Sequence, residues 1–232
     1  MSRESSNASA AILTGDLIGS RDLSADAVAA ARQSLAGSAA TLQEWGCPIL
    51  GGPDVFRGDA WQLAIGDAAW WLRATVLIRA RLIGLGEGVD TRVGIGVGAV
   101  ERIEANVSQS LGSAFIYSGE ALDTMPSRTT FAFAAGDAPT WVNPVLSLCG
   151  VVIDRWKPKQ ALAAAQALAP GSKTQADVAD ALGLKRQTVN GHLVSSGFHA
   201  VLQAVELVEG CDWQFGSIEQ KQGNSPALTK AG

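Results

Sequence analysis

A chain of 232 residues with 47% apolar and 17% charged residues can bury a substantial core, which excludes global disorder. Its formal charge of −4 argues against a protein that coats nucleic acid over its whole surface, while leaving room for a local basic region. Cys47, Cys149 and Cys211 lie far apart, with no CxxC and no histidine at metal spacing, so they read as buried or bystander thiols in a reducing compartment. The start MSRESSNASA lacks a signal-peptide pattern, and the apolar stretch 141–156 is too short and interrupted to span a bilayer. The expectation is a cytoplasmic protein with no membrane partner.

In chain order, residues 11–14 read as a short buried strand that breaks at Gly15-Asp16. Residues 23–46 have helical composition, with Ser24 as N-cap and Gly46 as stop. Gly51-Gly52-Pro53 reads as a breaker. Residues 54–57 and 60–65 then flank Gly58-Asp59 as a hairpin. Residues 67–86 form a helix with Trp71, Ala74, Leu77, Ile78 and Leu82 on one face, and Arg73, Arg79 and Arg81 mostly off it. Of the pair Trp70-Trp71, one is expected in the core and the other over an interface. Residues 91–103 alternate apolar residues with glycine, a strand that permits close backbone approach. Gly94, Gly96 and Gly98 lie within that strand, which argues against a dinucleotide fingerprint. A short helix (118–125), a strand (129–136) and a helix (139–156) follow. Interleaved strands and helices predict an α+β or α/β sheet domain.

Pro158 marks a change of character. Residues 157–200 carry a net charge of +3, so the remainder carries −7. TQADVADALGLKRQTVNGHL (174–193) has the form of a helix-turn-helix. Thr174 and Asp177 make a capping box, Gly183 permits a left-handed turn and Leu184 is expected to pack into the angle. Val178 and Leu182 anchor the first helix, Val189 and Leu193 the second. Arg186, Gln187, Asn190 and His192 then point outward with side chains suited to base edges, while Lys173 and Lys185 suit phosphates. The competing reading is a helical hairpin used only for protein contacts. Gly191 inside the second helix and the small number of cations weigh toward it, or toward two copies acting together.

Asp16 and Asp59 each follow a glycine at the end of an apolar run. Held together, two carboxylates repel unless a cation sits between them, and Mg²⁺ suits such a pair. As lone features, both read as ordinary turn aspartates ahead of metal ligands. Arg57, Arg73 and Arg92 are available to a phosphate, though such arginines are usually just solvated.

The order LTGDLIGS, VFRGDAWQ, TRVGIGVGAV, YSGEALDTM resembles the catalytic domain of class III adenylate and guanylate cyclases. That resemblance implies a ferredoxin-like antiparallel or mixed sheet with flanking helices and a site built between two subunits. It also implies Mg²⁺ or Mn²⁺ on Asp16 and Asp59, with nucleotide contacts at Gly15, Leu17, Gly58 and Arg128. The family's base-reading positions fall on Val55 and Ile116, its ribose-orienting position on Asp123, and its transition-state arginine on Ser127 or, shifted by one, Arg128. The metal pair is matched and the other catalytic groups are not, so catalysis stays open. Over residues 10–205 the chain resembles SatD-like bacterial proteins, in which a C-terminal helix-turn-helix follows such a domain. The organisation expected is a disordered 1–9, a cyclase-like domain 10–156, a small all-α helix-turn-helix module 157–210 and a flexible tail 211–232. The leading reading is a homodimeric DNA-binding regulator that senses a nucleotide or phosphate ligand. A metal-dependent nucleotidyl cyclase or related phosphoryl-transfer enzyme, and a non-catalytic scaffold, are the alternatives.

Overall fold

A computed structural model of the chain describes residues 9–56, 58–171 and 173–214. The first strand, β1 (Ala10–Leu17), is longer than expected and holds Asp16 inside it. Gly-Asp reads as a turn in isolation, but here the strand is paired on both sides. Asp16 lies opposite Ala60 of β3 (Ala60–Ile65) and opposite Arg92 of β4 (Thr91–Gly98). The hairpin partner β2 (Ile49–Phe56) runs through Gly51-Gly52-Pro53, which does not break it. Register shifts on either side of Gly51 absorb the irregularity as a bulge, and β2 is an edge strand, where a proline is tolerated. β5 (Phe131–Ala135) pairs parallel to β4, which completes a mixed sheet of order β2-β3-β1-β4-β5. The fold is α+β.

Directly opposed residues share a face of a sheet. One face carries Leu13, Leu63, Trp61, Val93 and Ile95 into the main core under α1 (Ala25–Glu44) and α2 (Trp71–Leu85). The other carries Ile12, Thr14 and Asp16 with Ala64, Gln62 and Ala60, beneath α3 (Ser113–Asp123) and the loop before it. A Cβ on Gly94 or Gly96 would overlap the α3 backbone at Ser118 and Ala114, so these glycines set how closely helix and sheet approach. Ser24 caps α1, accepting from the Ala27 N–H at 3.1 Å.

The arginines of α2 depart from expectation. Arg73 and Arg79 are buried, because α2 lies between the sheet and the C-terminal helices and has no solvent face over most of its length. Arg73 donates to both carboxylate oxygens of Glu209, at 2.5 and 2.8 Å, and to the Leu168 carbonyl. Arg79 forks onto Asp90 at 2.8 and 2.7 Å and also reaches Asp154 at 2.7 Å and Thr130 at 2.9 Å. Burial pulls its pKa down, but the bonds and charges of Asp90 and Asp154 outweigh that and hold it above its usual value. Trp71 is fully buried and Trp70 half-buried.

Among the described residues, five helices follow the sheet: α4 (Val142–Ile153), α5 (Pro158–Ala167), α6 (Gln175–Leu182), α7 (Arg186–Ser195) and α8 (Phe198–Glu209). One apolar cluster runs without interruption from the sheet through α2 into α5 and α8. Of residues 211–214, expected in a flexible tail, Trp213 is packed into the core. Trp213 is buried, with ring centroids 5.6 Å from Trp71, 5.7 Å from Phe133 and 6.1 Å from Trp141, and its indole donates to the Val208 carbonyl at 2.7 Å. A tryptophan among polar residues finds more apolar surface to bury than its immediate sequence suggests. Ser9, at the end of the segment expected to be disordered, is buried too, and its carbonyl accepts from Ala68 N–H at 3.0 Å. The rest of both terminal segments, 1–8 and 215–232, lies outside the described residues, as does Arg57. No described helix is long and apolar enough to cross a membrane.

Candidate functional site

The antiparallel register of β1 and β3 brings the two expected metal ligands to one end of the sheet. Asp16 faces Ala60, and the chain step before Ala60 is Asp59, whose carbonyl accepts from the Leu17 N–H at 3.2 Å. Asp16 is already paired. Arg92 donates Nε to its Oδ1 at 3.0 Å and a terminal nitrogen to its Oδ2, a forked pair between opposed residues of β1 and β4. The hydrogen bond to Asp16 raises the Arg92 pKa, against a smaller opposing effect of burial. Asp59 Oδ2 accepts from the Ser20 hydroxyl at 2.5 Å.

The neighbouring positions frame this pole. Gly15 sits under the Trp61 indole, where a Cβ would stand 2.5 Å from the ring, and Trp61 Nε1 donates to Thr91 at 2.9 Å. The Thr91 hydroxyl in turn donates to the Asp16 carbonyl at 2.6 Å. Leu17 is buried. Gly58 turns the hairpin at φ +92°, and its carbonyl accepts from Arg32 of α1 at 3.0 Å. Arg128 is exposed in the turn before β5, at the same end of the sheet, since Val93 N–H bonds the Thr130 carbonyl there. Of the positions the cyclase resemblance assigns to base and ribose, Val55 is half-buried in β2, Ile116 is 61% exposed on α3 and Asp123 ends α3.

Asp16, with a cation beside it, and Asp59, with a hydroxyl beside it, are each carboxylates with the hard oxygen chemistry that a divalent cation takes. In donor type, both aspartates suit Mg²⁺ or Mn²⁺. No group of three or more His, Cys, Asp or Glu arranged for a metal occurs among the described residues, so the remaining ligands would come from water and substrate oxygens. Sequence reasoning missed Arg92 as the partner of Asp16, Ser20 as that of Asp59, and Arg32. Only the strand register could reveal the first.

On the sheet face that carries Asp16, Gln62 Nε2 donates to Thr14 Oγ1 at 2.8 Å, and Thr14 and Ser118 share a hydrogen bond of 2.8 Å. Gln62 Oε1 is buried without a partner.

At the other end of the chain, Thr174 and Asp177 form the expected capping box, and Gly183 adopts φ +63° after α6. The backbone and hydroxyl bonds from Thr174 hold the Asp177 carboxyl below its usual range. Val189 and Leu193 are buried. Leu184 is not packed in the angle. It is 38% exposed, because the turn is closed by its backbone N–H bonding the Ala179 carbonyl rather than by its side chain. Lys173, Lys185, Arg186, Gln187 and Asn190 are exposed, while His192 is half-buried near the end of α7. Gln175, Arg186, Gln187 and Asn190 line an open hollow of about 530 Å³, and Gln175 Nε2 donates to Asn190 Oδ1 at 2.9 Å.

No protein-family model matches the chain, and no curated protein matches it. Among solved structures, the chain is similar to the catalytic core of a rhodopsin-guanylyl cyclase with converted specificity, in complex with ATPalphaS. That match has 15% identity and a TM-score of 0.38 over 51% of this chain and 73% of that one. It is also similar to the adenylyl cyclase CyaB from P. aeruginosa, at 16% identity and a TM-score of 0.31 over 50% of this chain and 71% of that one.

Proposed function

We propose that the chain binds nucleotide phosphates through a divalent cation at the pole carrying Asp16 and Asp59. The observation that supports this is the β1/β3 register, which sets the two aspartates at one end of adjacent strands. Asp16 and Asp59 would hold the Mg²⁺ or Mn²⁺, Gly15, Leu17 and Gly58 would form the nearby backbone, and Arg128 would meet phosphate from the β5 side. A cation held there polarises phosphate oxygens, so nucleotidyl or phosphoryl transfer is the reaction class within reach. Calorimetric titration of Mn²⁺ and Mg²⁺, with and without ATP and GTP, tests it. Binding that depends on nucleotide and disappears in Asp16→Asn/Asp59→Asn supports the site. Cyclic nucleotide or pyrophosphate release then separates an enzyme from a sensor. No binding under any condition rejects the site.

A second reading, DNA binding through α7, is favoured by the exposed Lys185, Arg186, Gln187 and Asn190 at the start of that helix. A single module with so few cations binds weakly, so a homodimer is the form in which it would act. A ligand at the sheet pole would regulate it only through different affinity for two arrangements of the paired modules. Fluorescence anisotropy with random-sequence duplex at 50 and 200 mM salt tests for it. No salt-dependent binding, together with no metal binding, leaves the scaffold reading.

A further inference from the structure

We infer that Arg92 is an internal competitor for the cation at Asp16, so that metal binds tightly only when a phosphate-bearing ligand takes the guanidinium over. The inference rests on the proposed metal site and adds its regulation.

The geometry carries it. Asp16 and Arg92 are register partners on the α3 face of β1 and β4, and their side chains are joined by two near-parallel hydrogen bonds. Such a fork engages both carboxylate oxygens, so a metal at Asp16 must either break it or share an oxygen with a positive group a few ångströms away. The pair is partly open to solvent, with 38% of the Arg92 side chain and 26% of the Asp16 side chain exposed, so an incoming ligand can reach the guanidinium. Arg79 makes a useful contrast. It also forks onto an aspartate, but it is 1% exposed and braced by Asp154 and Thr130, which makes it a fixture of the fold.

Displaced from Asp16, Arg92 has no second acidic partner among the ion pairs described, and a guanidinium is suited to phosphate oxygens. A phosphate ligand thereby removes the competitor and adds ligand oxygens to the metal in one event. The coupling is reciprocal: metal favours phosphate as much as phosphate favours metal.

The test uses the full chain and Mn²⁺ alone, titrated by calorimetry into wild type, Arg92→Gln and Arg92→Lys, with thermal unfolding to confirm folding. Arg92→Gln is expected to bind Mn²⁺ about fivefold tighter or more, and Arg92→Lys, which keeps the charge, to stay nearer wild type. Binding to Arg92→Gln that is equal to wild type or weaker overturns the role of Arg92 and leaves the metal site standing. Mn²⁺ bound by neither protein, with or without ATP, overturns both. Should Arg92→Gln fail to fold, the Arg92 Nε–H signal of the wild type decides. A shift on adding Mg²⁺ that is absent in Asp16→Asn supports displacement, and an unmoved signal at saturating Mg²⁺ overturns it.

Discussion

Arg73 and Glu209, 136 positions apart in sequence, are joined by two hydrogen bonds that tie α2 to α8. Arg73 is 5% exposed and Glu209 28%, so the two ends of the pair are not equivalent. Removing the glutamate charge leaves a guanidinium stranded in the core. Removing the arginine leaves a carboxylate that water can reach.

That asymmetry sets the first expectation. Glu209→Gln is expected to destabilise the chain by about 3 kcal/mol, the cost of uncovering a buried charge, and Arg73→Met by roughly half as much. Urea unfolding of both variants measures the difference, and the reverse order would contradict the burial that distinguishes the two side chains.

A Cβ at Gly96 would overlap the backbone of α3 at Ala114 and Ser118, which no side-chain rotation relieves. Gly96→Ala is expected to cost about 3 kcal/mol or more. Gly191 lies in α7 with nothing within 4 Å of its absent Cβ, so Gly191→Ala is expected to stabilise by about 0.5–1 kcal/mol. Thermal melts of the two alanine variants should move in opposite directions.

Burial pushes the Cys47 thiol up to about 12, helped by Asp67, and the Cys149 thiol up to about 11. Well below the ordinary thiol value of 9.0 both thiols hold their protons in folded and unfolded chains alike. Above it the unfolded chain ionises first, so stability falls as pH rises toward 11 to 12, by at most about 1.4 kcal/mol per pH unit for each thiol. Unfolding at pH 8 to 10.5 measures the slope, which should flatten in Cys47→Ala/Cys149→Ala. In native protein at pH 8, a thiol reagent should modify the partly exposed Cys211 before the other two.

On the DNA reading, Arg186→Ala should weaken binding to a preferred sequence by about tenfold or more, while Lys185→Ala should weaken all duplexes alike and lower the salt slope by about one. Anisotropy at several salt concentrations distinguishes the two patterns. Equal, salt-independent binding by both variants and wild type would argue against α7 as the contact surface.

Local chemistry was the part of this fold that the sequence made legible. Ser24, the Thr174 and Asp177 box and the left-handed Gly183 each act within a few residues, and each stands where its side chain or backbone requires. The neighbourhood of Gly15-Asp16 and Gly58-Asp59 was legible as two similar sites, but not their common place at one sheet end, which depends on register. Partners that arrive from afar were illegible. Glu209 and Asp154 turn two α2 arginines from surface groups into core ones, and Arg92 reaches Asp16 across 76 positions. Trp213 was misjudged for the same reason, since its neighbours Trp71 and Phe133 come from other parts of the chain.

The bulge in β2 has a bearing on how two copies of this chain can meet. β2 is the outer strand of the sheet, and its register slips twice between Ile49 and Asp54, with Pro53 lacking an N–H and the Asp54 carboxylate turned to accept from Val107 N–H at 2.5 Å. An interrupted edge of this kind offers no continuous ladder to a neighbouring strand. Self-association by extending the sheet across β2 is therefore blocked at its root, in the native protein and in any partly opened form that keeps this strand. Any pairing of two copies on that side would run through helices and loops.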